Sequence, residues 1–318
     1  MRWSNKSAVL LWGLISLFPG TLVYGLQGMG SKPPAPPPEE IQRLEDGDPH
    51  EREHAIEAVI KGASKFMGTM IQELRTRQSG LYMDSVAQVL AGSGSKGVAQ
   101  LKKMLRSKEP VMRQVGVMGI GYLRAKGARY ITLLVKVLTR DKEKGLRIIA
   151  AMALTSIAKE GGPKVAKVVS RYLCAAIKRE KDKDVQSGIM DAIMRIGYPS
   201  DEVLELLENR LENEEPFERG RIARMICEFE LTEKVLTLLE KALMDPDPEV
   251  WNPIMESLRV KGPKAKAALP ILFVFLTNTD KSFDALVAIN LITELEFSSA
   301  EEAQAWWDKK QAEAEKNE

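Results

Sequence analysis

The chain has 318 residues, of which 44% are hydrophobic and 28% are charged, and its formal net charge at neutral pH is +2. Enough apolar surface is available to build a core, so the composition excludes a wholly disordered chain. The balance of charge excludes a strongly basic protein of the kind that coats nucleic acid. The length suits two ordinary domains or one elongated array.

The N-terminal residues have the organisation of an export signal. Arg2 and Lys6 precede an apolar run over residues 8–18, and a Pro-Gly breaker follows it. We expect a signal peptide over residues 1–25, with an uncleaved membrane anchor as the alternative. Residues 26–39 contain the stretch SKPPAPPP and are predicted to form a stiff linker. The chain is therefore expected to be exported to a bacterial periplasm or cell envelope, with any membrane association through its N-terminus.

Helical repeats are predicted beyond the linker. Apolar residues recur there with the period of amphipathic helices, and the alternation that marks strands is scarce. Apolar segments return about every thirty-three residues, each after another amphipathic helix and a short polar turn. The marker positions of these segments are Ile71, Leu101, Leu133, Val168, Leu204, Leu236 and Leu269. We predict an all-α, right-handed α-α superhelix of about seven to eight hairpins over residues 40–297. A capping helix and a polar tail are expected over residues 298–318.

Several hairpins open with the same short pattern. The stretches DPHEREHAIEAVI, EPVMRQVGVMGIG and DPEVWNPIMESLR begin at Asp48, Glu109 and Asp247, and each has a proline directly after the acidic residue. A carboxylate can accept hydrogen bonds from the exposed amides of a helix N-terminus, and proline fits the first turn. We therefore expect these three acidic residues to begin the first helices of their hairpins.

The first of these stretches also contains the letters of a zinc-protease motif, H-E-x-x-H. On a helix, His50 and His54 would share a face and could bind zinc, with Glu51 as the general base. A catalytic zinc needs a third protein ligand, and the chain has only these two histidines. The repeat register explains the stretch as the polar first turn of a hairpin. We therefore predict no metal and no cofactor, with zinc binding by His50 and His54 as the alternative.

The two cysteines fall in hairpins that are not neighbours. Cys174 lies in the second helix of the fourth hairpin, and Cys227 lies in the first helix of the sixth. Because stacked repeats contact only their neighbours, the hairpin between them keeps the two Cα atoms beyond the reach of a disulfide. We predict two free, buried thiols.

Two adjacent tryptophans follow the last predicted hairpin. Trp306 and Trp307 come after a Ser-Ala-Glu-Glu stretch that suits a helix start. The exposed end of a solenoid needs a cap, and a short helix that lays one tryptophan over the last hairpin would provide it. An aromatic docking site for a partner is the alternative.

The small net charge conceals a strong polarity along the chain. Residues 91–183 carry 22 Lys and Arg against 6 Asp and Glu, whereas residues 201–259 are net negative. When the second helices are aligned on their buried apolar pairs, one position forms a ladder. Its members are Lys103, Lys136, Arg171, Asn209 and Lys241. We expect this basic stripe to bind a partner with an acidic surface, and an ordinary solvated helix face is the alternative.

The repeat pattern resembles the HEAT family, in particular the bacterial HEAT-like repeats first known from phycobilin lyases. Arg52 and Arg113 stand where that family often places an arginine in the first helix, and GPKAKAALPIL from Gly262 is similar to its turn and second-helix start. The resemblance implies a HEAT-like solenoid whose second helices line a concave surface. Among enzymes of similar fold, deoxyhypusine hydroxylases need several His-Glu pairs, and this chain has one. Bilin lyases and HEAT-like DNA glycosylases work inside the cell, which disagrees with the predicted export.

These observations predict a function without catalysis. We expect an exported scaffold that binds another protein through the concave and charged surface of the solenoid. A structural subunit of a larger envelope complex is one alternative, and a zinc-dependent hydrolase built on the H-E-x-x-H stretch is another. Nucleic acid is not expected as a partner, because the chain without its first 25 residues is neutral and exported.

Overall fold

The computed structural model describes residues 38–277 and 280–315, and the regular structure within these ranges is helical throughout. The predicted signal peptide and most of the predicted linker lie outside the described residues. Among the helices that are described, none combines the length and the apolar character that crossing a bilayer requires. The prediction of an all-α, helical-repeat fold is confirmed.

The helices group into two compact units, one ending at Leu123 and the other beginning at Arg124. The first unit holds α1 (Glu39–Gln42), α2 (Pro49–Lys61), α3 (Ala63–Glu73), α4 (Gly80–Gly92), α5 (Gly94–Met104) and α6 (Pro110–Tyr122), with a 3-10 turn at Arg43–Glu45. Within this unit α4 packs against α2, α5 and α6. The sequence did not indicate this division of the chain.

The second unit is a longer series of helices. They are α7 (Ile131–Arg140), α8 (Lys144–Gly161), α9 (Pro163–Ile177), α10 (Lys183–Ile196), α11 (Asp201–Asn213), α12 (Pro216–Cys227), α13 (Glu233–Leu243), α14 (Pro248–Lys261), α15 (Leu269–Val274), α16 (Ser282–Thr293) and α17 (Ala300–Glu315). Short 3-10 segments lie at Arg124–Tyr130, Gly262–Ala268 and Phe275–Thr277. The second helices α7, α9, α11 and α13 pack side by side in chain order. All seven marker positions from the sequence fall in the second helices α3 to α15 of their hairpins.

The acidic residues that open the first helices do not all act as caps. The carboxylate of Asp48 accepts a hydrogen bond from the His50 amide at 2.8 Å, and Asp247 accepts one from the Glu249 amide at 2.9 Å. Glu109 also precedes a helix, but it makes no side-chain cap. Its carboxylate instead pairs with Arg75 at 3.2 Å. The expectation of a capping acceptor therefore holds at two of these three positions.

A recurring polar side chain fixes the start of the first helices. It donates a hydrogen bond to a backbone carbonyl five or six residues earlier, in the loop that enters the helix. The bonds run from Arg113 to Ser107 (3.1 Å), from Arg147 to Asp141 (2.9 Å), from Gln186 to Glu180 (2.7 Å), from Arg219 to Glu214 (3.0 Å) and from Arg52 to Asp46. Each bond satisfies a loop carbonyl that would otherwise need water. The resemblance had singled out only Arg52 and Arg113.

Two of these arginines also reach across to the loop that follows their own hairpin. Arg147 binds both carboxylate oxygens of Glu180 at 2.8 and 3.2 Å, and Arg219 binds both oxygens of Asp245 at 2.8 and 3.0 Å. Partial burial alone would raise the pKa of each carboxyl group, but the hydrogen bonds that each accepts lower the pKa overall. Both carboxylates are therefore charged at neutral pH, and each ties two loops of one hairpin together.

At the last hairpin a buried lysine, Lys281, rather than an arginine binds the carbonyls of a loop. Its side chain is only 6% exposed, and Nζ donates to the carbonyls of Leu243 at 2.5 Å and Asp245 at 3.1 Å. The ammonium also lies 5.4 Å from the ring centroid of Trp251 and 5.5 Å from that of Phe275. Burial lowers the pKa of Lys281, against the opposing effect of nearby carboxylates. Carbonyl oxygens and aromatic faces together replace the water that this cation loses.

The C-terminal tryptophans pack onto the preceding hairpin. The ring of Trp307 stacks on Phe273 of α15 with a centroid separation of 4.6 Å and an interplanar angle of 12°. Trp306 contacts both Phe273 at 6.3 Å and Phe297 at 5.5 Å. Both indole side chains are half-buried. Two tryptophans rather than one therefore contact the preceding residues, and the capping role of this helix stays a prediction.

Close packing of α12 against α14 requires a glycine. A Cβ atom added at Gly220 would lie 2.4 Å from the backbone oxygen of Glu249, closer than non-bonded atoms can approach. At Gly68, on the exposed side of α3, an added Cβ would meet nothing within 4 Å. An added methyl group would therefore clash at Gly220 and would be accommodated at Gly68.

We expect Gly220→Ala to lower the free energy of unfolding by about 1–3 kcal/mol, because α12 and α14 must move apart. The matched substitution Gly68→Ala should raise it by about 0.5–1 kcal/mol, since alanine restricts the unfolded chain and fits the helix. Urea denaturation followed by circular dichroism measures both. A Gly220→Ala protein as stable as the wild type would contradict the close approach of the two helices.

Both thiols are buried and unpaired. Cys174 lies in α9 and Cys227 in α12, as the repeat register predicted. Burial raises the pKa of Cys174 to about 12 and that of Cys227 to about 11, so neither is a thiolate at neutral pH.

We expect neither cysteine of the native protein to react with Ellman's reagent at pH 8 on the time scale of minutes. Both thiols are buried and protonated, whereas the reagent needs an accessible thiolate. Both should react at once in guanidinium chloride. A Ser64→Cys variant, with a thiol on an exposed position of α3, serves as the reactive control. Rapid loss of one native thiol in the wild type would contradict the burial of that helix.

Candidate functional site

The H-E-x-x-H stretch lies in the first two turns of α2. His50 and His54 are both exposed, and the carboxylate of Glu51 is bound by Arg43 rather than free to act as a base. Across residues 38–277 and 280–315, no three His, Cys, Asp or Glu side chains come close enough to hold a metal ion. The two histidines therefore have no third ligand in the part of the chain that the structure describes.

The members of the predicted basic stripe are divided between the two units. Lys103 lies on α5 of the first unit and is exposed. The other four lie on successive second helices of the second unit, and all are exposed: Lys136 on α7, Arg171 on α9, Asn209 on α11 and Lys241 on α13. The register therefore places these four on the same side of neighbouring helices.

The positive charge is concentrated on α7 and α9. Neither helix contains an aspartate or a glutamate, and their exposed cations follow helical spacing. We call this set the α7–α9 basic surface: Lys136, Arg140, Lys164, Lys167 and Arg171. None of the five forms an ion pair within the described residues. Val168, 36% exposed, lies among them on α9.

The next helix along, α11, reverses the sign of the surface. It contains five carboxylates, and four of them lie within ion-pair distance of lysines from neighbouring segments. Lys178 pairs with Glu205 at 3.3 Å, Lys234 with Asp201 at 2.5 Å, and Lys241 with Glu208. Lys241 also lies 3.8 Å from Glu212. Since Asn209 is neutral and Lys241 is bound to carboxylates, the ladder carries unpaired positive charge only at α7 and α9 within this unit.

Sequence reasoning found two members of the α7–α9 basic surface and missed three. Lys136 and Arg171 follow from the register, whereas Arg140, Lys164 and Lys167 do not share its position. A simple signal would have found them, namely two consecutive second helices with no acidic residue and with cations at spacings of three or four. The pairing of Lys241 has no such signal, because its partners come from another helix.

Asp84 is the one buried carboxyl group among the described residues. It lies in α4 of the first unit, where Tyr122 of α6 and Gln88 (2.7 Å) donate hydrogen bonds to it. Burial raises its pKa, and these two hydrogen bonds oppose the rise. Its hydrogen bonds link two packed helices, so it acts in the core of the unit.

Comparison with known proteins gives no family for this chain. A scan against models of protein families finds no match, and a search of curated proteins finds none. Among solved structures, a chain from a study of microtubule plus-end tracking by XMAP215, CLIP-170 and EB1 is 22% identical, with a TM-score of 0.40, over 61% of this chain and 88% of that one.

Two further solved structures are similar at lower scores. An engineered protein is 19% identical, with a TM-score of 0.30, over 81% of this chain and 98% of its own. Human deoxyhypusine hydroxylase in complex with glycerol is 15% identical, with a TM-score of 0.28, over 80% of this chain and 95% of its own. Nothing about the activity of this chain follows from likenesses at these scores.

We expect the purified protein to contain zinc well below one equivalent, because two exposed histidines without a third ligand bind metal weakly. The double variant His50→Ala/His54→Ala should show the same metal content as the wild type by inductively coupled plasma mass spectrometry. One equivalent of zinc in the wild type that is lost in the double variant would contradict this expectation.

Proposed function

We propose that this chain is a non-catalytic binding protein that holds an acidic partner protein on the α7–α9 basic surface. The observation that carries the proposal is the presence of five exposed cations on two adjacent helices that contain no carboxylate. Such a surface attracts a partner of opposite sign and speeds its association.

The packing of the second helices supports this proposal. The second helices α7, α9, α11 and α13 lie side by side, so their exposed residues form one continuous face rather than isolated points. Helical repeats commonly use such extended faces to bind other proteins. The exposed side chain of Val168 adds an apolar contact among the cations, as protein partners usually require.

We further infer that the protein works outside the cytoplasm, as an exported bacterial chain of the HEAT-like type. The basic and apolar order of residues 2–18 supports export, and the recurring first-helix arginines support the family resemblance. The partner would then be another protein of the envelope.

We expect the double reversal Lys136→Glu/Arg171→Glu to weaken capture of the partner from an envelope extract by tenfold or more, because it changes the charge of the surface by four units. Crosslinking in the native envelope and mass spectrometry identify the partner, and titration of the purified pair measures affinity. Wild-type binding should weaken with added salt, since exposed charges are screened over about 8–10 Å at physiological ionic strength.

The matched control is Lys264→Glu/Lys266→Glu, which makes the same change of charge at two exposed positions of a 3-10 segment that packs against α14, α15 and α16. It should leave binding within about twofold of the wild type if the position of the charge matters. Equal effects of the two double variants, or no effect of either, would contradict the proposed function.

A further inference from the structure

We propose that α11 sets a limit to the partner: the α7–α9 basic surface accepts a short acidic protein segment, and α11 repels the remainder of any longer polyanion or anionic membrane. This inference rests on the proposed function of the surface. In this proposal α11 determines specificity, because its negative charge repels ligands that carry too much negative charge themselves.

The two surfaces of opposite sign are directly adjacent. α9 packs against α7 on one side and α11 on the other. Lys178 at the end of α9 pairs with Glu205 of α11 at 3.3 Å. The positive charges of Lys167 and Arg171 help to lower the pKa of Glu202, after the larger effects of hydrogen bonds from its own amide and Ser200. A ligand that extends beyond α9 in this direction therefore meets α11 next.

The negative charge of α11 is not fully balanced within the protein. Five carboxylates and one arginine give the helix a net charge of −4 (−5 + 1), and the three lysines that pair with it from neighbouring segments bring the local sum to −1 (−4 + 3). The pairs with Lys178, Lys234 and Lys241 are exposed, and exposed pairs reduce a field without removing it. Glu212 approaches Lys241 only to 3.8 Å and is itself exposed. The surface of α11 thus keeps a small net negative charge, opposite in sign to the α7–α9 basic surface beside it.

The spacing of the helices sets the length of the acceptable segment. Packed helices lie about 8–10 Å apart, so α7 and α9 together present a face about 20 Å wide. An extended peptide advances about 3.3 Å per residue, so about six residues cross this face. A longer chain of carboxylates, or a flat anionic bilayer, would place further negative charge over α11.

The ligand is therefore best explained as a segment of a protein. A protein can present a short acidic stretch and then change its composition, whereas a lipid surface or a uniform polyanion cannot. The exposed apolar side chain of Val168 within the surface also suits a peptide better than a phosphate polymer.

The test compares ligands of one chemistry and different lengths. Full-length protein and the variant Glu208→Gln/Glu212→Gln, which frees only Lys241 on the α13 side, are titrated with hexaglutamate, with polyglutamate of about fifty residues, and with vesicles that contain anionic lipid. We expect the variant to bind the long chain about five- to tenfold more tightly than the wild type does, and hexaglutamate within about twofold. The wild type should bind the vesicles no more tightly than the Lys136→Glu/Arg171→Glu variant does, a comparison in which any contact through residues 1–25 cancels. Comparing variant with wild type for each ligand cancels the greater number of binding registers on the longer chain.

The control variant Glu228→Gln/Glu230→Gln removes two exposed carboxylates beyond the end of α12 and should change neither affinity. Equal gains for short and long ligands in the Glu208/Glu212 variant, no gain for either, or vesicle binding by the wild type that the Lys136→Glu/Arg171→Glu reversal weakens would overturn the role of α11. The proposed function would survive these results if Lys136→Glu/Arg171→Glu still abolished hexaglutamate binding. The proposed function itself would be overturned if the reversal left hexaglutamate affinity unchanged, or if the wild type bound neither peptide at low salt.

Discussion

A hydrogen bond between a first-helix side chain and the loop before that helix recurs along the chain, and it ties the start of each of these helices to the loop that leads into it. In α8 and α12 the same arginine also binds a carboxylate in the loop that follows the hairpin, at 2.8 Å in both cases. A bidentate pair fixes direction as well as distance. In these two hairpins the loop before the first helix and the loop after the second helix are therefore held together, which fixes the two ends of the hairpin relative to each other.

Most of the fold could be predicted from the sequence, because its determinants are local. A buried stripe needs only apolar residues at helical spacing, and a hairpin needs only two such stripes and a turn. The marker positions therefore fell in second helices without exception. Glu109 is an exception to such local rules. An acidic residue before a proline suits a helix cap, yet the carboxylate of Glu109 binds Arg75, which lies 34 residues earlier in the chain.

The candidate site could be predicted only in part, because charge depends on neighbours in space. Register places Arg171 and Lys241 at equivalent positions, and both are exposed. Only Lys241 forms ion pairs with carboxylates, and these come from α11, about one repeat earlier in the chain. Repeat spacing identifies which helices are adjacent, but it does not give the side-chain directions that decide whether two charges pair.

The contrast between the two halves of the second-helix face supports a role in binding. Stability requires only the buried positions of α7 and α9, and their exposed positions could hold charges of either sign. Mixed signs would be the more stable choice, because opposite charges on adjacent helices attract and like charges repel. The protein uses mixed signs where α11 meets α13, through the pairs of Lys234 and Lys241. It does not use them between α7 and α9. Packing therefore gives no reason for the uniform charge of that surface, and an acidic partner provides one.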